Sequence, residues 1–138
     1  MATRSQARSA VIAMLYAYDA GNVDILTQAQ MFLEERKIRH KQQDFALNLF
    51  NGVIQKCEEL DSCINSHLKE WDIARIGRIE HSILRLGSYE LLFSNTDAPI
   101  VINEAIELGK AYGDDNAPKL INGVLDSIRQ ARKISQNS

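Results

Sequence analysis

The sequence predicts an all-α protein, and three observations lead there. Apolar residues recur at helical spacing along nearly the whole chain, as in Ala7, Ala10, Val11, Met14, Leu15 and Tyr18. No stretch alternates apolar and polar residues as a half-buried strand does. The two Asn-Gly pairs, Asn51-Gly52 and Asn122-Gly123, lie inside helical patterns instead of between strand-like runs.

With 138 residues the chain is long enough for one domain with a substantial core and too short for two ordinary ones. Its 45% hydrophobic and 25% charged content is that of a globular protein, and 2 Pro with 7 Gly leave little room for linker. No apolar run approaches the roughly 20 residues that span a bilayer, and the start lacks the apolar core of a secretory signal, so a cytoplasmic location without membrane contact is expected. Cys57 and Cys63, six apart on one predicted helix, point to different sides and cannot bridge. The net charge of -2 is unevenly spread. Arg4 and Arg8 at one end and Arg129, Arg132 and Lys133 at the other have no acid beside them, which allows confined phosphate-binding surfaces but not general nucleic-acid affinity.

In chain order, the first helix runs from about Ser5 and stops at Gly21, with Arg8, Ile12 and Tyr16 in one row on the flank of its apolar stripe. Asn22 or Asp24 caps a second helix carrying Ile25, Leu26, Ala29, Phe32 and Leu33. Arg36, Lys37, Arg39, His40 and Lys41 form a basic, solvated junction. A single long helix is predicted from Gln42 to Leu68, with Phe45, Leu49, Val53, Leu60 and Ile64 on its inner side. Trp71 is expected to anchor the core, and Asp72 to cap a short helical segment from Ile73 to Gly77. From Ile79 to Phe93 apolar residues occupy nearly every face, which predicts a central, enclosed helix. Thr96 or Asp97 caps the next helix, Pro99 fits its first turn, and Gly113 terminates it in the left-handed conformation. Asp114, Asp115 and Asn116 cap the last helix, where Gly123 is expected at a close helix contact.

Reactive groups do not converge. Glu59, Cys63 and His67 share a spacing of four but make at best a partial metal site, and no group orients Cys63 and His67 as a nucleophile pair. His40 and His81 stand alone, and there is no Gly-rich phosphate loop or nucleophile elbow. A binding protein with no catalytic residues, metal or cofactor follows by elimination. Arg85, Glu90, Asn103, Glu104 and Asn122, set among Ile and Leu, are expected to tie helices together through hydrogen bonds.

Three ordered motifs carry a resemblance. The run Ile83-Leu84-Arg85-Leu86-Gly87-Ser88-Tyr89-Glu90-Leu91, then Pro99 with Ile102-Asn103-Glu104-Ala105-Ile106-Glu107-Leu108-Gly109-Lys110, then Lys119-Leu120-Ile121-Asn122-Gly123-Val124-Leu125-Asp126 resemble the NusB family of transcription antitermination factors. Arg4, Arg8 and Ala13-Met14-Leu15-Tyr16 fit the start of the same family. The resemblance implies an all-α fold of two small helix bundles packed together in one domain, about 1–70 and about 71–138. It implies binding to single-stranded boxA RNA of nascent ribosomal transcripts together with the ribosomal protein NusE, in a complex that joins RNA polymerase and suppresses termination. The RNA surface it implies comprises Arg4, Arg8, Tyr16, Asn116, Lys119 and Leu120, and Glu80 maps to the partner surface. Ser5 and Gln6 stand where the family often has more Arg, which leaves fewer cations on that surface, and Asn116 stands at a loop position that is commonly acidic. The sequence leaves two oligomeric states open, a monomer and a homodimer that masks the arginine end. Two other readings are an RNA-binding module of a ribosomal RNA methyltransferase, for whose catalytic domain 138 residues leave no room, and a helical adaptor without an RNA role.

Overall fold

The computed structural model describes residues 1–69 and 73–137, and side chains up to 135. The expected roles of Trp71 and Asp72 lie outside the described residues. Seven helices and no strand occur among the described residues: α1 (Arg4–Asp19), α2 (Ile25–Glu35), α3 (His40–Gln55), α4 (Cys57–Ser66), α5 (Arg78–Phe93), α6 (Ala98–Tyr112) and α7 (Ala117–Asn137). None of them is long and apolar enough to cross a membrane. They group into two compact units, Met1–Gln55 and Lys56–Ser138.

In the first unit α1 packs on both α2 and α3. The stripe Ala7, Ala10, Val11, Met14 and Leu15 is buried as its spacing predicts, and Ile12 is buried with it. The helix begins one residue earlier than expected because Thr3 and Gln6 form a capping box. The Thr3 hydroxyl accepts the Gln6 N–H at 3.1 Å, and the Gln6 side chain accepts the Thr3 N–H at 2.9 Å. Gly21, at φ +106°, ends the first helical run in the left-handed region. At the start of α2 the Asp24 carbonyl, not either expected side chain, accepts N–H bonds from Thr27 and Gln28. In the basic junction Lys37 (φ 61°) and His40 (φ 57°) take left-handed backbone, unusual for residues with a Cβ.

The predicted long helix is two helices, α3 and α4, separated at Lys56. The buried positions Val53, Leu60 and Ile64 stay in phase across the break, so the apolar pattern carries no trace of it. α4 groups with the second unit, which begins at Lys56.

In the second unit α5 is enclosed by α4, α6 and α7, which fits its all-round apolar pattern. Its approach to α7 needs Gly87, where a Cβ would stand 2.8 Å from the Leu125 Cδ1. Arg85 and Glu90 are buried as expected, but Asn103 and Asn122 are exposed, since each sits off the buried stripe of its helix. Arg85 makes two bonds to Asp61 of α4, Nε to Oδ1 at 2.8 Å and Nη2 to Oδ2 at 2.7 Å. His81 is not alone: its Nε2 lies 2.7 Å from the same Oδ1.

Four local expectations are corrected. Gly113 ends α6 in extended backbone (φ -91°, ψ -177°), and glycine suits it for lack of room: a Cβ would lie 2.5 Å from that of Ala117. Gly123 is exposed, and a Cβ there meets nothing within 4 Å. Residues 73–77 form turns, not a helix. The start of α6 is held by Ile100 and Val101 N–H bonds to the Asp97 carbonyl, with no side-chain cap from Thr96 or Asp97.

Two predictions follow from the packing around α5. Gly87→Ala is expected to destabilise the protein by about 1–3 kcal/mol through overpacking, whereas Gly123→Ala stabilises it by about 0.5–1 kcal/mol; urea melts of the two variants give the signs. Burial alone would raise the Asp61 carboxyl, but hydrogen bonds from Arg85 and His81, with their charge, hold it at about 2 against an ordinary 3.8. A carboxyl lowered on folding stabilises the fold above its ordinary value and loses that contribution as the pH falls from there toward about 2. The stability gap between parent and Asp61→Asn is therefore widest above pH 4 and narrows steadily in acid; a gap independent of pH in thermal melts would contradict this.

Candidate nucleic-acid interface

In the first unit the candidate cations sit at the N-terminal end of α1. The capping box places Arg4 in the first turn, and α1 and α3 pack so that Phe45 comes beneath it. The Arg4 guanidinium stands 4.5 Å from the centre of the Phe45 ring and that of Arg8 5.1 Å from it. Both distances are those of cation–π contacts. Arg4 is exposed, but Arg8 is only 2% exposed. Arg8 is thus a packed core cation, and truncating it would disturb the fold as well as any binding. Tyr16, eight residues on from Arg8, is 40% exposed, so its ring is open to a stacking partner.

In the second unit Asn116, Lys119 and Leu120 line one groove of about 860 Å³ at the start of α7. Lys69 and Arg75 add cations to its wall. Each acid in the wall has one oxygen engaged: Glu80 accepts the Asp114 N–H at 3.1 Å, Asp114 accepts the Asn116 N–H at 2.9 Å, and Asp126 accepts from the Gln130 amide at 3.0 Å. Glu80, expected on a partner surface, is 7% exposed and turned inward to hold the connection between α6 and α7. The side chain of Lys119 is exposed, and Leu120 offers a half-buried apolar surface beside it. Cations, an apolar wall and polar hydrogen-bonding groups suit a nucleotide strand, whose phosphates and base faces need all three.

The groups considered for catalysis and metal binding take other roles. His67 Nδ1 lies 2.7 Å from the Ser127 Oγ in the groove wall. Burial, helped by the Glu59 carboxylate, pushes the Cys63 thiol up, which disfavours the thiolate that a nucleophile or metal ligand requires. Among the described residues no cluster of three or more His, Cys, Asp or Glu is placed to hold a metal ion.

Sequence reasoning placed Phe45 on the inner side of a helix and gave it no part in the surface. The Thr3-x-x-Gln6 capping signature was readable; the meeting of Phe45 with Arg4 was not, since it depends on how α1 and α3 cross. Replacing Glu80 with Ala is expected to speed exchange of the Asp114 amide and to lower stability by about 1–3 kcal/mol. Glu80→Gln, which keeps an acceptor, should do less, and hydrogen exchange resolved at Asp114 distinguishes the two.

Comparison with known proteins gives concordant results. The NusB family profile matches residues 5–130. The transcription antitermination protein NusB of Helicobacter hepaticus is 55% identical over 139 residues, spanning 100% of this chain and 88% of that protein. NusB of Wolinella succinogenes is 54% identical over 129 residues, 94% of this chain and 96% of that protein. A chain from a crystal structure of the antitermination factors NusB and NusE in complex with dsRNA superposes with a TM-score of 0.83 at 32% identity, covering 93% of this chain and 96% of that one.

Proposed function

The chain belongs to the NusB family, and we propose that it is an RNA-binding transcription antitermination factor, not an enzyme. With NusE it binds boxA RNA of nascent ribosomal transcripts and helps RNA polymerase resist termination. The observation that supports this reading most is the end-to-end kinship with NusB at 55% identity; it favours this function over a methyltransferase module and over an adaptor without an RNA role. A similar chain occurs in a structure of NusB and NusE with RNA, which supports the same two partners here. The protein acts in the cytoplasm, on transcripts still attached to polymerase.

In this reading Arg4 and Lys119 meet phosphates. Arg8 adds its charge from beneath, Tyr16 stacks on or packs beside a base, and Asn116 and Leu120 contact the strand at the start of α7. Glu80 serves the partner surface indirectly, by fixing the backbone at Asp114.

Binding to boxA-type and scrambled RNA, single- and double-stranded, with and without NusE, tests the proposal. Preference for the single-stranded boxA sequence, strengthened by NusE, is expected; equal affinity for all would overturn it. Arg4→Ala and Lys119→Ala should each lower affinity and reduce the salt slope by about 0.7 without changing the melting temperature, while Arg8→Ala lowers the melting temperature too. Sedimentation of the free protein shows whether a homodimer competes with RNA for the arginine end.

A further inference from the structure

We propose that Phe45 is a positioning residue for RNA binding, holding the Arg4 guanidinium over its ring where a phosphodiester can meet it. This rests on the reading of the arginine end as an RNA surface and adds a residue to which no role has been given.

Three features of the first unit carry the inference. The ring of Phe45 lies under two guanidiniums four residues apart on α1, at 4.5 Å and 5.1 Å. Two like charges brought onto one ring repel each other, and a third positive element is present, because Arg4 stands in the first turn of α1 where the helix dipole disfavours cations. The negative face of an aromatic ring offsets part of that repulsion without supplying a full negative charge. A carboxylate at position 45 would hold Arg4 as well, but it would neutralise the positive potential that an RNA phosphate has to feel. Phe45 holds the cation and leaves its charge available.

The arrangement also has an asymmetry that suits binding. Arg8 is buried and Arg4 exposed, so the inner cation is fixed and the outer one has open edges. A guanidinium held over a ring by its central carbon makes no hydrogen bond there, so its N–H donors, which lie in the guanidinium plane, stay available to a phosphate. Thr3 and Gln6 fix the backbone that carries Arg4 through both bonds of the capping box. The side chain is therefore preorganised at two levels, and less rotamer freedom is lost when the strand arrives.

The test is a double-mutant cycle on affinity for the boxA-type oligonucleotide in the presence of NusE, using Phe45→Leu and Arg4→Ala singly and together. Phe45→Leu keeps an apolar side chain but removes the ring face. It should weaken binding about three- to tenfold, with most of that effect absent in the Arg4→Ala background. Phe45→Tyr, which keeps the ring, should restore near-parental affinity, a result that loss of packing alone would not produce. Additive effects of the two substitutions, with the parent binding normally, would overturn the positioning role and leave the proposed function standing. Failure of the parent to bind would remove both. Because Phe45→Leu could also unfold the first unit, NMR of the parent protein supplies a second readout: the Arg4 δ-methylene protons should be shifted upfield by the ring current, and unshifted resonances would refute the stacking.

Discussion

The paired bond between Asp61 and Arg85 is the constraint on which the second unit turns. A helix enclosed on all sides, as α5 is, cannot carry an arginine unless a partner satisfies it out of water, because an unpaired buried charge costs several kcal/mol. Asp61 supplies two oxygens in the geometry of the guanidinium fork, and His81 shares one of them. Replacing such a pair with apolar residues is often harmless to stability, but removing one partner leaves the other charge buried alone, and the pair ties α5 to α4 at the rotation that turns Arg85 toward Asp61. That rotation sets the direction of Glu80, next to His81 in sequence and about 100° away around the helix. With His81 and Arg85 committed to α4, Glu80 faces the opposite connection and receives the Asp114 N–H. The groove that carries Asn116 and Lys119 is thus positioned from the core outward, through an ion pair, a helix rotation and one backbone hydrogen bond.

The first unit holds its cations by different means. Arg4 and Arg8 both stand over the Phe45 ring, and the capping box fixes the backbone that carries Arg4. The contrast has a physical reason. Arg85 has only to be satisfied, and a carboxylate does this best. A cation that must attract an anion is better served by a partner that stabilises it while leaving its field intact.

How legible all this was in the sequence varies with the distance over which each feature is determined. Buried helix faces were readable, since Ala7, Val11, Met14, Ile83, Leu84, Ile121 and Leu125 announce them by spacing alone. So were the stop of the first helix at Gly21 and the all-round burial of α5. The break at Lys56 was invisible because the apolar phase continues through it. Gly113 was misread because glycine has two uses, backbone freedom and lack of a side chain, and the sequence does not say which applies; Gly123 was misread because a helical glycine can serve neither. The candidate surface was legible through family motifs at Arg4, Tyr16, Asn116, Lys119 and Leu120; the burial of Arg8 and the pairing of His81 with Asp61 depend on helix crossings that no local pattern encodes.

A chain with net charge -2 that is proposed to bind RNA has to concentrate cations where they act. With little long-range attraction available, affinity rests more on how well each contact is prepared. An arginine side chain carries about 2 kcal/mol of rotamer entropy, so a flexible arginine loses much of the energy of a phosphate contact to being ordered. Stacking Arg4 on Phe45 orders it during folding instead of during binding. In the second unit the acids near Lys119 each accept an N–H of the protein, which fixes where their charge stands. Sparse charge and prepared geometry are two sides of one arrangement: the fewer the cations, the more each depends on the residues that fix its place.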